Sequence, residues 1–218
     1  MRILIDPGHG SRDSGAVGNG LVERDLTMFL ALRTEERLDN YDCHAEIYQH
    51  PYVDGMGDLQ TVVDYANNNG FDFFLSLHID SVDDPTVTGF SSFRYPGSSR
   101  AIQDIIHASV AEYLAQHGIN DRKAREADYM VLRETNMPSV LLETGFISSP
   151  WDSQKLKDIR FLDKLANAIA WGVVDAFKRQ PRQHNCETCQ QYLKATAEVR
   201  RLRQVIKAAG GILAPEMI

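Results

Sequence analysis

Apolar residues along this chain alternate between short continuous runs and longer stretches with helical spacing. Arg2–Ile5 reads as a buried strand, followed by a glycine-rich loop through Gly20. From Arg24 to about Asp39, Leu26, Phe29, Leu30, Arg33 and Leu38 include the i, i+3, i+4 steps of an amphipathic helix. His44–Tyr48 reads as a strand. Leu59, Val62, Val63 and Ala66 make a helical stripe that stops at Asn67-Asn68-Asn69-Gly70, a cluster of helix-ending residues. Phe71–Leu77 is a continuous apolar run suited to a central strand, and Gly89–Tyr95 reads as another. A helix follows from about Ser99 to Gln116, with Ile102, Ile105, Ile106, Val110 and Leu114 on one side. Ser139–Leu142 is a short β-branched run after Pro138. One final helix is expected over about Asp152 to Arg179, with Leu156, Ile159, Leu162, Leu165, Ile169 and Val173 inward. Strands separated by helices predict an α/β fold with a largely parallel central sheet flanked by helices.

The pattern breaks at Gln180-Pro181-Arg182-Gln183-His184-Asn185, which is polar, contains a proline and lacks apolar periodicity. It reads as a linker, dividing the chain into a body over 1–180 and a tail over 181–218. Within the tail, Leu193, Thr196, Val199, Leu202 and Ile206 form a narrow stripe along a helix expected over Glu187–Ala209.

Composition adds that 218 residues, 43% hydrophobic, suffice for one ordinary core and a small appendage. No apolar stretch approaches the roughly 18 to 20 residues of a membrane helix, so membrane insertion is not expected. The start, Met1-Arg2-Ile3-Leu4-Ile5-Asp6, reads as a strand and not as a secretory signal, which leads us to expect synthesis in the cytoplasm without an export address. Three cysteines, Cys43, Cys186 and Cys189, do not make a disulfide framework. The net charge is −7; residues 181–218 sum to +3, leaving −10 on the first 180. An acidic body argues against nucleic acid as a partner, because phosphate contacts need a basic face.

Chemistry-bearing residues gather at the ends of the apolar runs. His9 follows the first strand in Asp6-Pro7-Gly8-His9-Gly10, and His78 follows Phe73-Phe74-Leu75-Ser76-Leu77, with Asp80 just behind. In open α/β sheets, ligands collect at the carboxyl ends of the strands. Glu143 emerges from Val140-Leu141-Leu142, where a carboxylate is costly unless something positive pairs with it. Glu23, at the start of the first long helix, supplies another carboxylate. Two histidines and a carboxylate, with a fourth position for water, are the ligands of a catalytic zinc site, and a further carboxylate can move protons. Each residue also has a plainer role: a polar strand end for the histidines, a helix-dipole partner for Glu23, an ion pair with Arg125 or Arg133 for Glu143. No dinucleotide, P-loop or nucleophile-elbow motif occurs.

Four segments, in order, resemble the zinc-dependent N-acetylmuramoyl-L-alanine amidases often called type 3. They are Ile5-Asp6-Pro7-Gly8-His9-Gly10, then Gly20-Leu21-Val22-Glu23-Arg24-Asp25-Leu26, then Ala66-Asn67 leading to Phe73–Asp80, then Met137–Ser148 with Glu143-Thr144-Gly145 at its centre. Tyr129-Met130-Val131-Leu132-Arg133 also fits, and the likeness spans about Arg2 to Phe177. The resemblance implies a mixed sheet between helices, with one Zn2+ at the carboxyl ends of the strands, ligated by His9, Glu23 and His78. It implies Glu143 as the catalytic carboxylate and peptidoglycan as the substrate, cut between N-acetylmuramic acid and L-alanine. With no export signal read, the likeness is nearest to phage lysins, which act on the cell wall after release; an exported bacterial autolysin is the alternative setting. His78-Ile79-Asp80 departs from the His-Ala-Asn that relatives often carry, which puts the charge around the pocket in question.

Rival classes are a metal-free glycosidase using Glu23 and Glu143, and a noncatalytic peptidoglycan-binding module. In the tail, His184, Cys186 and Cys189 offer three metal ligands without the usual second half, so unliganded thiols are equally expected. For the tail helix the default is packing on the body, followed by pairing between chains as a homo-oligomer, then attraction to anionic wall polymers.

Overall fold

The computed structural model describes residues 1–10, 12–50 and 56–182. The elements are β1 (Arg2–Pro7), β2 (Val17–Gly18), β3 (Leu21–Val22), α1 (Glu23–Leu38), β4 (His44–Ile47), α2 (Met56–Asn68), β5 (Phe73–Asp80) and β6 (Phe90–Arg94). They continue with α3 (Arg100–Ala115), β7 (Asp121–Glu126), α4 (Met130–Arg133), β8 (Ser139–Phe146), α5 (Pro150–Leu156) and α6 (Ile159–Ala176). Residues 1–181 make one compact unit. Its sheet has six strands in the order β4-β1-β5-β8-β6-β7, and β2 and β3 form a separate small ribbon. The first four strands are mutually parallel; β6 runs antiparallel to β8, and β7 parallel to β6. The mixed, largely parallel sheet between helices is therefore as expected.

Strand alternation sorts the core into two layers. Ile3, Ile5, Phe73, Leu75, Leu77, Val140 and Leu142 face α1, α3 and α6, whose Leu30, Ile106, Val110, Leu165 and Ile169 complete that side. Leu4, Phe74, Leu141 and Phe93 face the other way, against Val62, Val63 and Ala66 of α2 and Val131 and Leu132 of α4. By the same parity Asp6, Ser76, His78 and Glu143 belong to the α2–α4 face.

Several expectations need correction. The helix expected over Asp152–Arg179 is two helices, broken at Lys157 and Asp158, because Asp158 caps α6 by accepting from the Arg160 N–H at 2.9 Å. Ile159, expected inward, is 63% exposed, and Ile105 is also on the solvent side. The strand β7 was not expected: its sequence, Asp-Arg-Lys-Ala-Arg-Glu, has no apolar alternation because it is an edge strand with one partner. Gln180 and Pro181, expected to open a linker, are tied to the body: Asp42 and Gln180 exchange hydrogen bonds, and Pro181 bridges to Tyr41. No helix among the described residues is long and apolar enough to cross a membrane. The Cys186 and Cys189 thiols, the helix over 187–209 and its homo-oligomer role lie outside the described residues.

Candidate metal centre and cleft

The site begins where β1 ends. Thr27 on α1 donates to the Gly8 carbonyl at 2.8 Å, and Gly8 N–H donates to the Leu77 carbonyl at 2.8 Å, so the turn after Pro7 is fastened on two sides. His9 follows with φ of +69°, a left-handed backbone that few side chains other than Asn, Asp and His adopt. Its Nδ1 lies 2.7 Å from Asp13 Oδ2, and its Nε2 3.2 Å from Glu23 Oε2. A carboxylate on one ring nitrogen fixes the tautomer and turns the other nitrogen toward the ligand.

Glu23 is the first residue of α1 and is only 4% exposed. A clasp holds it: Glu23 N–H donates to the Ala16 carbonyl at 2.9 Å, while Ala16 N–H donates to Glu23 Oε2 at 2.8 Å. Oε1 accepts from the Ile79 N–H at 3.0 Å and lies 3.1 Å from His78 Nδ1. Burial alone would raise this carboxyl, but hydrogen bonds to His78 and His9 pull it far below the usual carboxylate range. For His9, burial lowers the imidazole, and the hydrogen bonds to Glu23 and Asp13 outweigh it, raising it to about 9.

His78 and Glu143 are register partners on β5 and β8. Glu143 is not at a strand end, as its sequence suggested, but inside an eight-residue strand. Its Oε2 is buried without a hydrogen-bond partner among the described residues. Arg133, offered above as an ion-pair partner, instead meets Asp128 and Glu134, and Arg125 donates to the Arg122 carbonyl. Burial, then the nearby charges of Asp80 and Glu23, raises the Glu143 carboxyl well above its ordinary value.

His9, Glu23 and His78 present ligand atoms that all lie within 4.8 Å of one another. Tetrahedral zinc with bonds of about 2.0–2.2 Å separates its ligand atoms by roughly 3.3–3.6 Å. The 3.1 and 3.2 Å contacts, each to a different Glu23 oxygen, lie just under that spacing, and two imidazoles with one ionised carboxylate are a fitting donor set. The glycines are part of the cradle. A Cβ at Gly15, whose φ is +62°, would stand 2.5 Å from His9 Cδ2 and 2.7 Å from Glu23 Oε2.

The cleft that holds these ligands also holds a buried polar chain that the sequence did not single out: Ser76 Oγ donates to Asp6 Oδ2 at 2.8 Å, and His50 Nε2 lies 3.0 Å from Asp6 Oδ1. This cleft, of about 480 Å³, is lined by Asp6, His9, His50, His78, Tyr129 and Glu143 among others. A larger hollow of about 850 Å³ around Arg33, Tyr113, Phe161 and Asp163 has no comparable convergence; its Arg33 and Asp163 already pair at 2.7 Å. Asp13 was legible only as a polar residue of the glycine-rich loop, four positions after His9, and His50 only as a lone histidine past the β4 region.

The sequence profile described as N-acetylmuramoyl-L-alanine amidase matches residues 3–175. The chain is 38% identical over 180 residues to the sporulation-specific N-acetylmuramoyl-L-alanine amidase of Bacillus subtilis (strain 168), covering 81% of this chain and 68% of that protein. It is 31% identical to the endolysin of Bacillus phage SPP1, covering 79% of this chain and 65% of the endolysin. Among solved structures, N-acetylmuramoyl-L-alanine amidase AmiC2 of Nostoc punctiforme superposes with a TM-score of 0.74 at 31% identity, covering 82% of this chain and 98% of that one.

Proposed function

Because this chain belongs to the N-acetylmuramoyl-L-alanine amidase family, we propose that it hydrolyses the amide joining N-acetylmuramic acid to L-alanine in peptidoglycan, using one zinc ion held by His9, Glu23 and His78. The observation that carries this reading is the pairing of that ligand set with Glu143, whose raised, unpartnered carboxyl sits beside His78 in register. When bound, zinc supplies a positive charge for the substrate carbonyl and brings the pKa of water near neutrality, roughly 7. Glu143 takes the proton from the attacking water and returns it to the departing L-alanine nitrogen. Burial raises its proton affinity above that of an ordinary carboxyl, which suits taking up the proton of the attacking water. Asp13 holds the His9 ring with Nε2 toward the ligand, and the Glu23 clasp keeps its oxygens turned to both imidazoles.

With each Glu23 oxygen facing an imidazole, the pair Glu23 and Glu143 is poorly arranged for a metal-free glycosidase. Residues 1–180 are read as the catalytic unit, supported by the compactness of 1–181. The relatives include N-acetylmuramoyl-L-alanine amidases and an endolysin, and lysis of the cell wall is the role we assign here.

Glu143→Gln keeps the size and neutral hydrogen-bonding capacity of the carboxyl and removes its proton chemistry. It is expected to retain wild-type zinc content while release of new amino termini from purified walls falls by about 10²–10⁴-fold. His78→Ala should lose zinc and activity together. A Glu143→Gln enzyme that opens walls at the wild-type rate, or wild-type digestion that yields reducing ends in place of amino termini, defeats the proposal.

A further inference from the structure

Beside the cleft stand two cations that the reaction above leaves unused. Most arginines of the described residues have carboxylate partners: Arg33 and Arg37 share Asp163, Arg94 meets Glu126, and Arg133 meets Asp128 and Glu134. Arg122 and Arg125 have no carboxylate within salt-bridge distance among the described residues, though the charges of both reach Asp80 and that of Arg122 reaches Asp152. Arg122 Nη1 donates to the Thr88 carbonyl at 3.3 Å, and its guanidinium lies 5.1 Å from the centre of the Phe146 ring. Arg125 is exposed and gives its Nε to the Arg122 carbonyl at 3.0 Å. An arginine carries five donor hydrogens, so both keep several free for a ligand.

Their placement follows from an irregularity in β7. Phe90 pairs with Asp121, but Ser92 pairs with Ala124, so β7 holds one extra residue between the two. Lys123 absorbs it with φ of +81°, and its N–H reaches Asp121 Oδ1 at 2.7 Å. In a regular strand, residues three apart point to opposite faces; the bulge returns Arg122 to the face of Arg125. Arg125 pairs with Phe93, which pairs with Leu141, and Ser91 pairs with Glu143. This is the cleft face. Phe146, under the Arg122 guanidinium, is the register partner of Asp80, two residues beyond His78.

At about 4.8 Å per strand, β7 stands roughly 10 Å from Glu143 on β8. Two residues of extended peptide span about 7 Å, and an arginine side chain covers the rest. Asp6, Asp13, Glu23, Asp80 and Glu143 bring carboxyls to the region, and Arg122 and Arg125 set positive charge beside them, close enough to pull on the Asp80 carboxyl. Tyr129, which lines the cleft, packs its ring edge-on at 5.4 Å against Phe93, the register partner of Arg125.

We propose that Arg122 and Arg125 form a carboxylate-binding subsite for the peptide half of the substrate, selecting stems with a free carboxylate within two residues of the scissile amide. This rests on the amidase reading above. Guanidinium pairs grip a carboxylate through charge-assisted hydrogen bonds, whereas a carboxamide at the same place offers neither the charge nor the second acceptor oxygen.

The test uses the full zinc-loaded chain and two N-acetylmuramoyl-L-alanyl peptides that differ only in the second peptide residue, which carries a free acid or a primary amide. The wild type should favour the acid by about tenfold to a hundredfold in kcat/KM, expressed mainly in KM. Arg122→Gln with Arg125→Gln should bring that preference within about threefold, with zinc content, thermal midpoint and the rate on the amide substrate kept. Arg125→Gln alone, at an exposed position, carries the test if the double variant unfolds, and should lower the preference at least fivefold. Equal wild-type rates on the two peptides, or a preference that survives the substitutions, overturns the subsite and leaves the amidase reading intact. Failure to cleave either peptide or whole walls overturns that reading and the subsite with it.

Discussion

Gly8→Ala is a one-carbon perturbation aimed at the metal centre from a position that ligates nothing. A Cβ there would stand 2.5 Å from His78 Nδ1 and closer still to Cε1 and Nε2. Ordinary contact needs about 3.5 Å, so the ring or the turn must retreat by about 1 Å. The turn is held by Thr27 Oγ1 on the Gly8 carbonyl and by the Gly8 N–H on Leu77, so the ring is the part that yields. Metal sites tolerate about 0.2 Å of ligand displacement, and disturbing the shell around a ligand typically lowers affinity by about 10–100-fold. Gly8→Ala is therefore expected to weaken zinc binding by at least about tenfold in competition with a chromophoric chelator. Its metal-free thermal midpoint should stay within a few degrees of wild type, because the clash falls on a partly buried cleft side chain and not on the apolar core. A Gly8→Ala protein that binds zinc with wild-type affinity would refute the claim that this glycine makes room for the His78 ring.

Other outcomes follow from the same geometry. His9 is raised to about 9, burial being outweighed by Glu23 and Asp13, whereas a zinc ligand must be neutral. Zinc binding at pH 7 should thus release about one proton, read by calorimetry in buffers of different ionisation enthalpy, with apparent affinity climbing as pH rises toward 9; no proton release would contradict the protonated His9–Glu23 pair. In the metal-free protein the stability contributed by His9 is full below its free value of 6.5 and is lost as pH rises through about 9, so His9→Gln should flatten that part of the stability–pH curve. Asp152, fully buried, accepts from both Gly89 N–H and Phe146 N–H at 2.9 Å; Asp152→Ala orphans two donors and should cost about 2–4 kcal/mol in urea unfolding, an effect under 1 kcal/mol counting against it.

Much of this architecture can be read from apolar spacing because the strands that carry the site are buried on both faces. Leu4, Ile5, Phe73, Phe74, Leu75 and Leu142 leave little surface exposed, and continuous apolar runs are how such strands appear in a sequence. His9, His78 and Glu143 stood out as polar residues interrupting those runs. What escaped depends on neighbours distant in sequence. β7 is an edge strand with exposed charges, so no alternation marks it. The phase error at Ile159 arises because it opens α6, before the first turn reaches the core, and Ile105 sits on the flank of the stripe made by Ile106 and Val110. The break at Asp158 was visible as a capping residue before an apolar run, but the longer periodicity masked it. Asp13 on His9, and His50 on Asp6, are contacts that only the folded chain creates. The roles of Glu23 and Glu143 needed the family resemblance, since as residue types they are interchangeable.

His78 and Glu143 face each other across neighbouring parallel strands. Backbone hydrogen bonding thus acts as a ruler between the His78 imidazole and the Glu143 carboxyl, the metal ligand and proton carrier proposed above, and no loop has a say in that spacing. Surrounding loops are free to lengthen, shorten or change sequence as new wall chemistries are encountered. A slip of one residue within β8 is different in kind: it would present Leu142 or Thr144 to the cleft and turn Glu143 into the layer beneath α1 and α6, ending activity at a stroke.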